Sequence, residues 1–303
     1  MELVMLDLTG MTTEKRNRNT MELDKMSPLE IVTIMNGEDS KVAQAVSKML
    51  PQIAQVAQWA AQSLGNGGRL IYMGAGTSGR LGVLDAVECP PTFGVSPGTV
   101  VGLIAGGEGA FVKAVEGAED NEELCVKDLE MIGLNEKDTV VGIAASGRTP
   151  YVIGGLQYAK KMNCPTAAIS CNKDSSIGKY ADIAIEVVVG PEVLSGSTRL
   201  KAGTAQKMVL NMISTTAMIL IGKVYQNLMV DVMQTNEKLR IRAENIIMEA
   251  TGADRTTARA ALDEASGSVK VAVVMVLLNI SAEDAKIRLK KSHGHIRKSI
   301  DCL

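Results

Sequence analysis

The sequence predicts an α/β fold: a three-layer α-β-α sandwich around a five-stranded parallel sheet, with a small C-terminal helical appendage. Three observations carry this. Five short runs of aliphatic and β-branched residues, at 69–74, 99–105, 139–144, 166–171 and 183–189, are nearly unalternated, as strands covered on both faces are. Helix-like segments separate them, and strands alternating with helices build parallel βαβ units. From residue 237 onward the punctuation is helical.

Taken in order, residues 1–65 read as a polar arm followed by helices packed on the sheet domain. Ser27-Pro28-Leu29-Glu30 is an N-cap with proline at the first helical position. Residues 50–64 carry apolar side chains at helical spacing around Trp59, a packing residue. Residues 66–235 hold the five strands, closed by one long helix expected over about 199–230. Residues 236–303 form a helical domain of three or four helices. Thr251-Gly252 ends one helix, Asp254 caps the next, and Ser281-Ala282-Glu283-Asp284 forms a capping box.

Composition excludes several classes of function. Hydrophobic residues at 46% and charged residues at 22% support a packed core rather than disorder. With 32 Lys plus Arg against 34 Asp plus Glu, the chain has no global field to hold nucleic acid or an anionic membrane. The longest apolar run, Val271 to Leu278, falls far short of a membrane span. The opening Met1-Glu2-Leu3-Val4-Met5-Leu6-Asp7 has acids where a signal peptide has positive charge, which predicts a cytoplasmic protein. Cys89, Cys125, Cys164, Cys171 and Cys302 are odd in number and contain no C-x-x-C pair, so they predict buried thiols rather than disulfides or a zinc ribbon. His293 and His295 are the two histidines, and no metal site is expected of them. Acid–base chemistry before them must use Glu, Asp, Lys or Tyr.

Two loops stand out. After the first strand comes Gly74-Ala75-Gly76-Thr77-Ser78-Gly79-Arg80, and after the third Ala144-Ala145-Ser146-Gly147-Arg148-Thr149-Pro150. Both contain Ser-Gly-Arg and both lead into a helix. Small residues let amides approach an anion, hydroxyls add donors, the helix dipole favours negative charge, and arginine adds a forked cation. One such loop is an ordinary βα turn; two, on strands one and three, point to a small phosphorylated ligand. Thr77, Ser78, Gly79, Arg80, Ser146, Gly147, Arg148 and Thr149 are the candidate contacts, with the second loop holding the phosphate. Gly74, Gly76 and Gly79 also match G-x-G-x-x-G, but the acid that a dinucleotide site requires at the end of the second strand is replaced by Ala105-Gly106-Gly107.

These segments resemble the N-acetylmuramic acid 6-phosphate etherase family, within the wider sugar isomerase (SIS) fold. The resemblance rests on Gly74 through Gly82, Asp85-Ala86 and Glu88-Cys89-Pro90-Pro91-Thr92. It extends to Val101 through Glu108, Ala114 through Asp120, Gly142 through Tyr151 and Lys201 through Lys207. Near the N-terminus it takes in Thr13-Glu14, Arg16-Asn17, Thr20 and Leu23-Asp24. It implies a cytoplasmic enzyme of cell-wall sugar recovery that cleaves the lactyl ether of N-acetylmuramic acid 6-phosphate. It also implies a homodimer with sites near the subunit interface, no metal and no nucleotide cofactor. A non-catalytic sugar-phosphate regulator of the same fold is the alternative. The family's catalytic positions fall on Glu88 and Glu119.

An unactivated ether resists hydrolysis, but the open-chain sugar has a C1 aldehyde that acidifies the C2 proton, with the ether β to it at C3. Elimination and re-addition of water therefore need two proton-transfer groups and no metal. Glu88 takes the role of acid to the lactate oxygen, then base to water. Glu119 takes the C2 proton; its acid-rich surroundings would otherwise read as a solvated turn. The prolines after Glu88 are expected to end its helix. Ten helical steps from Ser78 to Glu88 span about 15 Å, so either the helix breaks near Gly82 or Glu88 serves a sugar held partly by the other subunit. Arg16 and Asn17 either form a polar arm or reach across similarly.

Overall fold

Three of the five strands are buried along their whole length, which is why their sequences show no alternation: β1 (Leu70–Gly74), β3 (Thr139–Ile143) and β4 (Thr166–Ser170). The edge strands, β2 (Val100–Ile104) and β5 (Ile183–Glu186), are partly open. The structure, a computed structural model, describes residues 11–113, 115–232 and 237–301. The opening run Met1 to Asp7, Ala114, Cys302 and the domain boundary expected at 235–236 lie outside the described residues.

The strands are all parallel, in the order β2-β1-β3-β4-β5. Before β1 come α1 (Pro28–Asp39), α2 (Lys41–Ser47) and α3 (Leu50–Gly65). Between strands come α4 (Gly76–Phe93), α5 (Gly109–Val112), α6 (Glu122–Met131), α7 (Pro150–Lys161) and α8 (Ser176–Tyr180), and α9 (Lys201–Leu220) follows β5. Successive strand residues face opposite layers. Ile71 and Met73 join Leu129 and Leu156, of α6 and α7, in one core. Tyr72 points the other way, where a Cβ on Gly82 of α4 would lie 2.9 Å from its own Cβ. On β3, Thr139 meets Ser63 of α3 at 2.8 Å. The three-layer sandwich is thus formed.

The chain divides into two compact units, 1–86 with 100–214, and 87–99 with 215–303. The second holds a short antiparallel pair, β6 (Val224–Tyr225) and β7 (Leu228–Met229). It also holds α10 (Glu237–Thr251), α11 (Arg255–Glu264), α12 (Val269–Leu278), α13 (Ala282–Lys291) and α14 (Ile296–Asp301). Its helices number five among the described residues, rather than three or four. Val269 and Val271 to Met275 are buried in α12, the central helix, so the apolar run has no polar face. Ser27, Asp254 and Ser281 each cap a helix as expected, but the reciprocal pair of a capping box forms at Ser27; at Ser281 the Asp284 carboxylate meets the serine hydroxyl rather than its amide.

Two helix ends differ from expectation. The helix over 199–230 stops at Leu220, because Gly222 at φ +79 takes a left-handed turn into the hairpin. Helix α4 does not end at Pro90 and Pro91 but carries both in its last turn and stops at Phe93. Proline removes a donor and prefers an extended residue before it, yet one final turn survives, closed by the Gly94 amide on the Pro90 carbonyl at 2.9 Å.

The N-terminus of α9 anchors the arm. Glu192, fully buried, accepts from the amides of Lys201 (3.0 Å) and Ala202 (2.9 Å), satisfying donors that a helix start leaves open. Buried Lys201 reaches Glu38 at 2.6 Å, and Lys41 and Asn19 share that carboxylate. Burial alone pushes the Glu38 carboxyl up, but these bonds, led by Lys201, hold it at about 2. Thr20 donates to Val193 O at 2.9 Å and Asn17 to Pro191 O at 3.3 Å. Asn17 is therefore a buried clasp within its own chain, while Arg16 is exposed.

Glu38→Gln strips the carboxylate from a buried lysine and should cost about 3–5 kcal/mol, read as a lowered urea midpoint. Because the folded carboxyl sits below its ordinary 4.5, its contribution is present above that pH and is lost as pH falls towards 2. Melting temperature should drop across that window more steeply in the wild type than in Glu38→Gln.

Candidate active site

The strand order places the topological switch between β1 and β3. The connections leaving these neighbours diverge, α4 to the Tyr72 face and α7 to the Met73 face. The two Ser-Gly-Arg loops therefore sit on either side of the crevice that opens at a switch point.

In the first loop the glycines serve close packing. A Cβ on Gly79 would lie 2.6 Å from the Gly74 carbonyl oxygen. Ser78, buried, donates to Gln206 Oε1 of α9 at 3.0 Å. Arg80 gives Nε to Phe111 O (2.7 Å) and Nη2 to Ala110 O (2.8 Å). Both side chains, expected at a sugar phosphate, are taken up by protein partners. Half-buried Thr77 and the first-turn amides of the 18-residue α4 remain as the loop's groups for an anion. Below them Asp85 is held by Ser214 at 3.1 Å. Burial raises the Asp85 carboxyl, against the pull of Tyr72, Ser214 and Lys207.

The second loop is pinned throughout. Gly147 adopts φ +77, and a Cβ there would meet the Ser175 Cβ at 2.5 Å. Its amide donates to Ala144 O and its carbonyl accepts from Ile177 N, each at 2.9 Å. A planar trans peptide puts N–H opposite C=O, so the Arg148 amide points away from α8. Thr149 then occupies the N-cap position of α7, without a side-chain capping bond, and Pro150 the first helical position. Ser146, Arg148 and Thr149 are half-buried. Beside them opens a cleft of about 310 Å³, lined by Ser146, Gly147, Arg148, Lys173, Ser176 and Thr12 among others. Arg148, Lys173 and the hydroxyls of Thr12, Ser146 and Ser176 suit a phosphate, with Asp174 the one opposing charge in the lining.

Asn172, which the sequence reading missed, organises this corner. Its Oδ1 accepts from Thr12 N (2.7 Å) and Thr13 N (3.3 Å). Its Nδ2 donates to Thr13 Oγ1 (3.0 Å), Ala145 O and Ser146 O (each 3.2 Å). The available signal was an asparagine directly after a predicted strand, Ser170-Cys171-Asn172, beside the phosphate-loop strand.

The two candidate carboxylates stand apart from these loops in character. Glu88 is exposed on α4, which runs unbroken past Gly82, so the expected alternative of a break there is excluded. Glu119 is exposed in a 3-10 turn, Ala118–Asp120. Neither is buried by the single chain. Among the described residues no cluster of three His, Cys, Asp or Glu fit to hold a metal occurs, and no helix is long and apolar enough to cross a membrane.

The 2-1-3-4-5 parallel sheet, with a loop on either side of its switch crevice, is the architecture of a SIS-domain protein, and the family matches assign it to that class. Residues 115–216 match the SIS domain, and residues 49–160 match the glucokinase regulatory protein N-terminal SIS domain. Full-length similarity narrows this. The chain is 62% identical over 293 residues to an N-acetylmuramic acid 6-phosphate etherase of Geobacillus sp. (strain WCH70), covering 97% of this chain and 99% of that one. It is 60% identical to the protein of that name from Exiguobacterium sp. (strain ATCC BAA-1283 / AT1b), covering 97% and 100%, and 59% identical to that from Serratia proteamaculans (strain 568), covering 97% and 99%. The chain belongs to the N-acetylmuramic acid 6-phosphate etherase family.

Ser146→Ala and Arg148→Ala should each weaken sugar-phosphate binding, by about 1.5–3 kcal/mol for a lost charge-assisted bond; calorimetry with N-acetylglucosamine 6-phosphate measures it. Arg80→Ala removes two bonds to backbone carbonyls, so it should lower the melting temperature before it lowers affinity.

Proposed function

We propose that this chain cleaves the D-lactyl ether of N-acetylmuramic acid 6-phosphate to N-acetylglucosamine 6-phosphate and D-lactate, in recovery of cell-wall sugar. The observation that carries the reading is identity of about 60% across nearly the whole of both chains with proteins of that name. In the open-chain sugar a base takes the C2 proton, the C3–O bond breaks, and an acid protonates the departing lactate oxygen. Water then adds its oxygen to C3 and a proton returns to C2. Hydrogens and oxygens balance, and no redox cofactor enters.

The Ser146–Thr149 loop holds the 6-phosphate, and Thr77 to Arg80 frame the sugar side of the crevice, Ser78 and Arg80 acting through their protein partners. Glu88 is the acid to lactate and then the base to water, and Glu119 the base at C2. General acid–base groups work best near the operating pH in a site shielded from water. Two exposed carboxylates therefore call for a cover from outside the single chain, which supports a homodimer with its sites near the interface. Leu84 and Val87, 39% and 57% exposed, sit one turn before and directly beside Glu88 on α4, an apolar margin suited to such a cover. The buried thiols Cys125, Cys164 and Cys171 suit a reducing, cytoplasmic setting.

Turnover in deuterated water should place deuterium at C2 of N-acetylglucosamine 6-phosphate, and turnover in oxygen-18 water should label the C3 hydroxyl and leave lactate unlabelled. Glu88→Gln and Glu119→Gln should each slow lactate release by about 10²–10⁴-fold, and Glu119→Gln should also suppress exchange at C2. Product keeping its C2 hydrogen, without a primary isotope effect from C2-deuterated substrate, refutes the elimination. Normal activity in Glu88→Gln refutes its role.

A further inference from the structure

The cleft beside the Ser146–Thr149 loop has a wall from a distant part of the sequence. Thr12 lines it, and Thr13 behind it is fully buried. Neither belongs to the sheet or its crossovers; at this end of the arm both are held by one side chain, that of Asn172. Asn172 is 5% exposed, and its amide orientation is dictated by its neighbours: two backbone N–H groups face the oxygen and two carbonyl oxygens face the nitrogen. The Asn172 carbonyl is itself held by Ser170 Oγ at 2.9 Å.

The same nitrogen that holds Thr13 Oγ1 also holds Ser146 O. The peptide joining Ser146 to Gly147 is therefore gripped from both edges, Asn172 on its oxygen and Ala144 O on its N–H. That grip sets the plane from which Gly147 turns and Arg148 projects. The arm and the loop share one hinge point, so displacing either strains the bonds of the other.

We propose that Thr12, backed by the buried Thr13, forms a wall of the phosphate cleft and that Asn172 is the positioning residue coupling this wall to the Ser146–Thr149 loop. The inference rests on the reading that this loop holds the 6-phosphate. Ligand binding and arm anchoring are then linked: a phosphate that orders the loop tightens the arm, and a loosened arm weakens the phosphate site, reciprocally. Asn172 also lines the cleft, but its amide oxygen and nitrogen are bonded to the arm and the loop, so its proposed action runs through the Ser146 carbonyl.

The test uses the full chain with N-acetylglucosamine 6-phosphate as probe. Calorimetry should show a roughly tenfold rise in dissociation constant for Asn172→Ala, the scale of one or two lost neutral hydrogen bonds. Thr13→Val, which keeps shape and removes only the Oγ1 acceptor, should give a smaller rise in a folded protein. In the wild type the ligand should slow hydrogen exchange at the Thr12 and Thr13 amides, and in Asn172→Ala it should not. A purely structural asparagine would lower the melting temperature without making arm exchange ligand-dependent. Wild-type affinity in both variants, or ligand-independent exchange at Thr12 and Thr13, overturns the inference while Arg148→Ala still loses binding. Unchanged affinity in Arg148→Ala as well overturns the phosphate-loop reading and the inference with it.

Discussion

The Cβ that Gly79 lacks would sit 2.6 Å from the carbonyl oxygen of Gly74, and the one that Gly74 lacks would sit 2.9 Å from the Gly79 amide. That mutual exclusion of side chains lets the start of α4 lie directly on the end of β1. Everything on the Tyr72 face follows from it. Gly82 settles against Tyr72, Gly102 of β2 against the backbone of Val83, and α9 closes on α4 through Ser78 to Gln206 and Asp85 to Ser214. A methyl group at Gly79 would have to be relieved by moving backbone, which a packed interior resists. The G-x-G-x-x-G pattern is thus explained by helix–strand proximity at a switch point, a requirement shared by dinucleotide and sugar-phosphate sites alike. This is why the pattern alone discriminated neither.

The fold was legible because its signals are local. Unalternated runs report burial on both faces, and Ser27, Asp254 and Ser281 report helix starts through single hydrogen bonds. The errors lie where a distant partner decides. Gly222 ends α9 early in a position where a Cβ would meet the Gly294 carbonyl oxygen at 2.9 Å, a contact that no window around residue 222 contains. Pro90 and Pro91 were read by their backbone preference, but a preference of a few kcal/mol yields to packing in the final turn. At the site, Arg80 and Ser78, proposed to frame the sugar, have protein partners that no local window contains: Ala110, Phe111 and Gln206 lie about 30 and 128 positions away. Asn172 was invisible for the complementary reason: its partners, Thr12, Thr13 and Ala145, are scattered through the chain.

The two loops therefore divide the labour unequally. In the first, hydroxyl and guanidinium are used to hold the scaffold, and what faces the crevice is backbone at a long helix's positive end. In the second, the scaffold is held by backbone carbonyls and by Asn172, which leaves Ser146 and Arg148 half-buried beside a cleft. An anion gains most from charged and hydroxyl donors that are already oriented, since their ordering entropy is spent on folding rather than on binding. The second loop has its backbone fixed by Ala144, Ile177 and Asn172 and its hydroxyl and guanidinium beside the cleft, which is the physical ground for proposing it as the phosphate site.

Fixing the phosphate there constrains the chemistry. The carboxylates proposed to exchange protons at C2 and at the lactate oxygen are exposed in the single chain, whereas the proposed phosphate cleft is walled by segments of one chain. With α4 unbroken past Gly82, the remaining alternative is a sugar held partly by the other subunit, so the proposed reaction asks a second chain both to complete the site and to exclude water at the reacting bonds. On that reading a sheet fold shared with binding modules supports an elimination by adding acidic groups, on α4 and on the turn before α6, to a grip on phosphate.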